Sequence, residues 1–104
     1  MLLSAVLLAG CGREPVVLKV NLKKYRFEPP VLRVKRGQTV TLELQTSDVR
    51  HGFLVPDLNL KQAVAPGQPV TLTFKADRRG AFPMQCNIIC GPGHDEMTGT
   101  IIVE

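Results

Sequence analysis

The sequence predicts an all-β Greek-key sandwich of about seven to eight short strands, and three observations carry that expectation. Apolar and polar residues alternate with a period of two in several separate stretches. Turn-forming residues punctuate those stretches at short intervals. No stretch holds the 3.6-residue period that an amphipathic helix needs. With 104 residues the chain has room for one domain and one core.

The elements follow in order. VVLKVNL (16–22) alternates, and so do VLRVKRG (31–37), TVTLELQ (39–45) and PVTLTFK (69–75). Val40, Leu42 and Leu44 share one side of a strand, and Val70, Leu72 and Phe74 share one side of another, while Thr and Glu face water. AFPMQC forms a further strand ending at Cys86, and TGTIIVE closes the chain. Breaks fall at Glu28-Pro29-Pro30, Arg36-Gly37, Pro66-Gly67 and Arg79-Gly80, where Gly and Pro favour turns over ladders.

Composition excludes several classes. Apolar residues make up 44% of the chain and charged residues 21%, an ordinary balance for a folded domain. Thirteen basic and nine acidic residues give +4. The cations are scattered among strand residues, and the chain has no Trp, one Tyr and four Phe, so clustered charge with stacking aromatics for nucleic acid is missing. No Ser/His/Asp arrangement or phosphate-binding glycine loop points to an enzyme or to a small-molecule substrate.

The N-terminus, MLLSAVLLAGCGRE, is apolar, ends in small residues and is too short to span a bilayer. Residues 1–10 read as an export signal and 11–15 as a short tether, with the folded domain at 16–104. Leu8-Ala9-Gly10-Cys11 resembles the lipobox of bacterial lipoproteins, which implies that Cys11 carries a lipid anchor and that the protein faces the periplasm or the cell surface on a bacterial membrane.

Chemistry concentrates in CNIICGPGHDEM. Cys86, Cys90, His94 and Met97 lie at spacings of four, four and three residues, and His51 stands thirty-five residues before Cys86. Thiols, imidazoles and a thioether are soft donors of the kind copper prefers, whereas calcium or magnesium would need carboxylates and carbonyls. The eleven residues after Cys86 form a loop, Gly91, Pro92 and Gly93 favour a tight path, and His51 arrives from the loop or strand end after TSDVR. Other readings of the same residues are a structural disulfide between Cys86 and Cys90, a tetrahedral zinc on Cys86, Cys90, His94 and His51, a mononuclear blue-copper site, and core packing for Met97. Met84 and Phe82 read as packing or surface residues.

HGFLVP and the stretch PGQPVTLTFKADRRGAFPMQCNIICGPGHDEMTGTIIV together resemble the CuA-type cupredoxin domain of cytochrome c oxidase subunit II, over about Tyr25 to Glu104. A similar motif occurs in the soluble domain of nitrous oxide reductase. The resemblance implies two copper ions bridged by the sulfurs of Cys86 and Cys90. It further implies His51 and His94 as terminal ligands, with Met97 and the backbone carbonyl of Ile88 as weak axial ones. Two thiolates against two coppers sharing a charge of +3 leave a small, delocalised charge, which suits fast one-electron transfer in a rigid frame.

The implied function is a non-enzymatic electron carrier. Its expected partners are a c-type cytochrome or another redox protein and a terminal oxidase or reductase, with the lipid anchor holding it at the membrane. A copper storage or delivery protein for oxidase assembly would use the same donors. Two departures stand out: the family's two transmembrane helices are replaced by a short export segment, which implies a free-standing protein, and the tryptophan of the family's electron-entry patch is absent.

Overall fold

The computed structural model describes residues 14–88 and 91–104. The export segment, Cys11 and Cys90 lie outside the described residues. The all-β expectation holds, with nine strands among the described residues: β1 (Val16–Lys23), β2 (Arg26–Glu28), β3 (Val31–Val34), β4 (Thr39–Thr46), β5 (His51–Val55), β6 (Leu60–Val64), β7 (Val70–Lys75), β8 (Gly80–Gln85) and β9 (Thr98–Val103). Pro56–Leu58 and His94–Glu96 each form a single 3-10 turn. Three strands go beyond the six named from the sequence, among them β5, HGFLV, which is buried at four of its five positions and so does not alternate. β2 is a three-residue piece beside the Glu-Pro-Pro break, and β6, LKQAV, lacks an alternating pattern.

The strands form two sheets, ordered β2-β1-β4-β7 and β3-β9-β8-β5-β6. Most pairs are antiparallel, but β1 runs parallel to β4 and β3 runs parallel to β9. Alternation decides which residues fill the space between the sheets. Val20 and Leu22 of β1 and Val40, Leu42 and Leu44 of β4 point inward from one sheet, and Phe53, Val55, Phe82, Met84, Ile101 and Val103 point inward from the other. Val70, Leu72 and Phe74 on the edge strand β7 are only partly buried. Phe27 and Phe53 meet edge to face, with ring centroids 5.9 Å apart at 84°. Fully burying a side chain of this size stabilises the fold by about 1.5–3 kcal/mol.

That alternation also selects the site. His51, Phe53 and Val55 share the inner side of β5, while Phe82, Met84 and Cys86 share the inner side of β8 and its continuation. β5 and β8 are neighbours through the Leu54–Gln85 pair, so the start of β5 and the end of β8 reach the same end of the sandwich. There Gln85 faces Thr98 across the β8–β9 hairpin, and the loop 86–97 hangs between them.

Candidate metal centre

Four of the six expected ligands can be placed together. His51 is fully buried, Cys86 is 5% exposed and Met97 is 1% exposed. The Gly52 amide donates to Cys86 Sγ at 3.3 Å, joining the residue next to His51 directly to the sulfur. The Cys86 thiol in turn donates to the Ile88 carbonyl at 3.1 Å, and the Cys86 amide donates to the Met97 carbonyl at 3.3 Å. Of the remaining two, Cys90 lies outside the described residues. His94 begins the 3-10 turn of the loop, and its side chain lies outside the described part. Among the described residues no three His, Cys, Asp or Glu side chains gather into a cluster.

The His51 ring is oriented by a group that the motif does not contain. Its Nε2 lies 2.9 Å from Asp48 Oδ1, and since a carboxylate can only accept, that nitrogen carries the proton. Nδ1 is therefore left with a lone pair. It is buried and has no hydrogen-bond partner among the described residues. A buried polar atom without a partner is costly in a finished core and is what a ligand atom looks like before its metal is bound.

Asp48 is itself held firmly. Burial alone would raise its carboxyl, but hydrogen bonds from the Lys24 amide, the Val49 amide, His51 and Thr46 outweigh that effect and hold it well below the usual carboxylate range. The Lys24 amide donates to Oδ2 at 2.8 Å, and the Thr46 hydroxyl lies 3.0 Å from Oδ1 and 2.9 Å from the Val49 carbonyl.

Two glycines are required by close approach. A Cβ on Gly52 would run into Asn87 Oδ1 and come within 3.1 Å of Ile88 Cγ1. The ligand loop thus rests on bare backbone beside His51. Gly91, at φ 148°, adopts a conformation that side chains rarely tolerate, and a Cβ there would meet the Tyr25 hydroxyl. Tyr25 also lies against Gly93 and so covers the loop from the β1–β2 turn.

Sequence reasoning missed Asp48, Gly52, Asn87 and Tyr25. For the first, a signal existed: a carboxylate three residues before a candidate ligand histidine. Tyr25 gave none, because its contact joins residues more than sixty positions apart.

Known proteins show the same architecture. The model of the cupredoxin-like domain matches residues 3–103. The chain belongs to the cupredoxin-like family. Within that family it is 34% identical over 80 residues to cytochrome c oxidase subunit 2 of Thermus thermophilus, covering 77% of this chain and 59% of the relative. It is also 34% identical over 97 residues to nitrous-oxide reductase of Cupriavidus necator, covering 89% of this chain and 15% of the relative. This cupredoxin-like chain thus spans about three fifths of the first of these relatives and a small part of the second.

Among solved structures, the periplasmic domain of subunit II of cytochrome oxidase of Bradyrhizobium japonicum superposes with a TM-score of 0.78 at 22% identity, over 85% of this chain and 83% of that one. Auracyanin A, a blue copper protein of Chloroflexus aurantiacus, superposes at 0.70 and 23% identity, over 86% and 99%. At such identities these two likenesses speak for the cupredoxin-like fold. The expected all-β class and the homology to the periplasmic domain of oxidase subunit II are both borne out. No helix among the described residues is long and apolar enough to cross a membrane.

Proposed function

We propose that this cupredoxin-like protein is a one-electron carrier with a dinuclear, CuA-like copper centre, exported and lipid-anchored through Cys11. The ligands are His51, Cys86, the Ile88 carbonyl, Cys90, His94 and Met97. The observation that carries the reading is the unpartnered, buried Nδ1 of His51, next in sequence to Gly52, whose amide donates to a sulfur that already meets the Ile88 carbonyl. Copper bound there would supply the one-electron couple. The protein's own part is to hold the donors still: Asp48 fixes the His51 tautomer, the Gly52 amide partly neutralises charge on Cys86 Sγ, and the two sheets keep both strand ends in place.

Zinc would also accept two thiols and two imidazoles. However, Met97, whose backbone carbonyl accepts from the Cys86 amide, and the Ile88 carbonyl at Cys86 Sγ bring two further donor-bearing residues to Cys86, more than a closed tetrahedron uses. The relatives include an oxidase subunit and a reductase, so a c-type cytochrome or another redox protein is the donor, and a terminal oxidase or reductase the acceptor.

The test is a copper count together with electron paramagnetic resonance of the reconstituted protein. Two coppers per chain that stay bound through reduction and reoxidation, with one unpaired electron shared equally between two nuclei in the oxidised form, support the carrier. A single-copper signal, or a Cys90→Ser variant with the parent spectrum and stoichiometry, would sink the dinuclear centre. Release of copper to a metal-free acceptor on reduction would favour delivery instead. Incorporation of labelled palmitate that persists in Cys11→Ser would refute the anchor.

A further inference from the structure

The two ends of the sandwich differ in charge. β4 spans the molecule, and its eight residues separate the ends by roughly 25 Å. At the end away from His51, Lys35 and Arg36 form the turn after β3, Lys75 ends β7, and Arg78 and Arg79 precede β8. Hydrogen bonds hold these segments side by side: the Gly37 amide donates to the Ala76 carbonyl at 2.7 Å and the Arg36 amide to the Glu104 carbonyl at 2.9 Å, and Gly80 faces Val103. All five cationic side chains are exposed.

Pairing sharpens the difference. Among the described residues Lys35, Arg36, Lys75 and Arg79 have no ion pair, and Arg78 meets a backbone carbonyl and the Phe82 ring. Glu104 is matched by Arg33 at 3.6 Å. Counting side chains and including Arg33, this end holds six cations against the four acidic groups of Glu14, Asp57, Asp77 and Glu104. The metal end is balanced: Lys23, Lys24, Arg26 and Arg50 stand against Glu28, Asp48, Asp95 and Glu96, and Glu28 bridges Lys23 at 3.2 Å and Arg26 at 2.7 Å.

The chain also enters at the basic end. The Glu14 carbonyl accepts from Gln38 Nε2 at 3.0 Å, within the Lys35–Gln38 turn, and Val16 opens β1 opposite Val40. Cys11 precedes Glu14 by three residues, a reach of at most about 10 Å. That is close to the ~8 Å screening length of physiological salt.

We propose that the basic end is a docking surface for an anionic phospholipid membrane. Lys35, Arg36, Lys75 and Arg79 face the lipid phosphates, and the metal end points away from the bilayer. The tether rests on the lipid-anchored reading of Cys11, whereas the charge asymmetry is independent of it. Each cation close to an anionic surface adds to binding, and the sum weakens as salt rises.

The test is cosedimentation of the full chain carrying Cys11→Ser with vesicles of phosphatidylcholine, alone or mixed with phosphatidylglycerol. Neutral vesicles report what the apolar leader binds by itself, and the gain on anionic vesicles reports the charge. A gain of about tenfold or more at low salt is expected. It should disappear in Lys35→Glu/Arg36→Glu/Arg79→Glu and persist in Lys24→Glu/Arg26→Glu/Arg50→Glu at the metal end. Unchanged melting and copper uptake show that the first variant is folded, and the corresponding Gln variants replace it if it is not. The proposal is overturned by no gain, by a gain that survives the first reversal, by equal loss in both variants, or by charge-dependent capture on an acidic protein without any vesicle gain. Failure here leaves the copper count and Cys11 labelling untouched, so it is distinguishable from failure of the carrier.

Discussion

His51 Nε2 and Asp48 Oδ1 lie 2.9 Å apart, and this one contact decides which ring nitrogen is available to a metal. Removing the carboxylate frees the ring to turn and to exchange tautomers. For Asp48→Ala, copper affinity should fall about 10–100-fold, the usual cost of losing a partner that orients a ligand. Competition against a chromophoric chelator measures it, and an unchanged affinity would remove Asp48 from the site.

Gly52 makes a second demand on the same region. In Gly52→Ala the new methyl group collides with Asn87, so the ligand loop must shift, at a cost of about 1–3 kcal/mol in stability. Shortening the obstructing side chain in Gly52→Ala/Asn87→Ala should restore part of that loss and return the copper spectrum toward the parent. If the double variant is as impaired as the single one, the Asn87 contact is not the reason for the glycine.

Met97 is buried, and its carbonyl already serves the Cys86 amide. Met97→Leu keeps the backbone bond and nearly the same volume, so the protein should remain folded, with a loss below about 1.5 kcal/mol. Two coppers should still bind, with a changed reduction potential measured by voltammetry, because an axial thioether tunes the site. Loss of all copper would contradict that role.

Glu28 supplies a pH dependence at the surface. Its hydrogen bonds to Lys23 and Arg26 lower its carboxyl from the ordinary value of 4.5. The folded protein therefore binds this proton less readily than the unfolded chain. The resulting stability is present above the unfolded value and is lost as pH falls through the folded one. Glu28→Gln should be slightly less stable than the parent at pH 7 and equal to it in strong acid, by urea titration at both pH values. The effect is small, as for exposed ion pairs generally. A difference that grew in acid would reverse the sign and refute the assignment.

The strands that alternate cleanly were legible because burial on one side imposes a period of two, as in β4, where Val40, Leu42 and Leu44 are all fully buried. β2 was not, since three residues next to a double proline carry a turn signal stronger than any strand pattern. The same physics separates the ligands from their supports. Cys86 and Met97 sit in one short run whose donor chemistry speaks for itself. Asp48 acts through a hydrogen bond from a turn, and Tyr25 through contact with a distant glycine, and neither leaves a periodicity or a spacing in the chain. Of the two remaining donors of the loop, Cys90 and the side chain of His94 stand on the motif alone.

Gln85 and Thr98 face one another on the last rung of the β8–β9 ladder, so the twelve residues from Cys86 to Met97 enter and leave the framework at adjoining points. Closing a loop across so short a gap costs little more for a somewhat longer or shorter connection, because the entropy of closure changes only slowly with length. The framework constrains the loop at only a few points: the bare backbone of Gly52, the Tyr25 ring over Gly91 and Gly93, and the buried places of Cys86 and Met97. A lineage built on this scaffold can exchange its metal inventory by replacing a single hairpin tip, leaving both sheets and the distant histidine where they are.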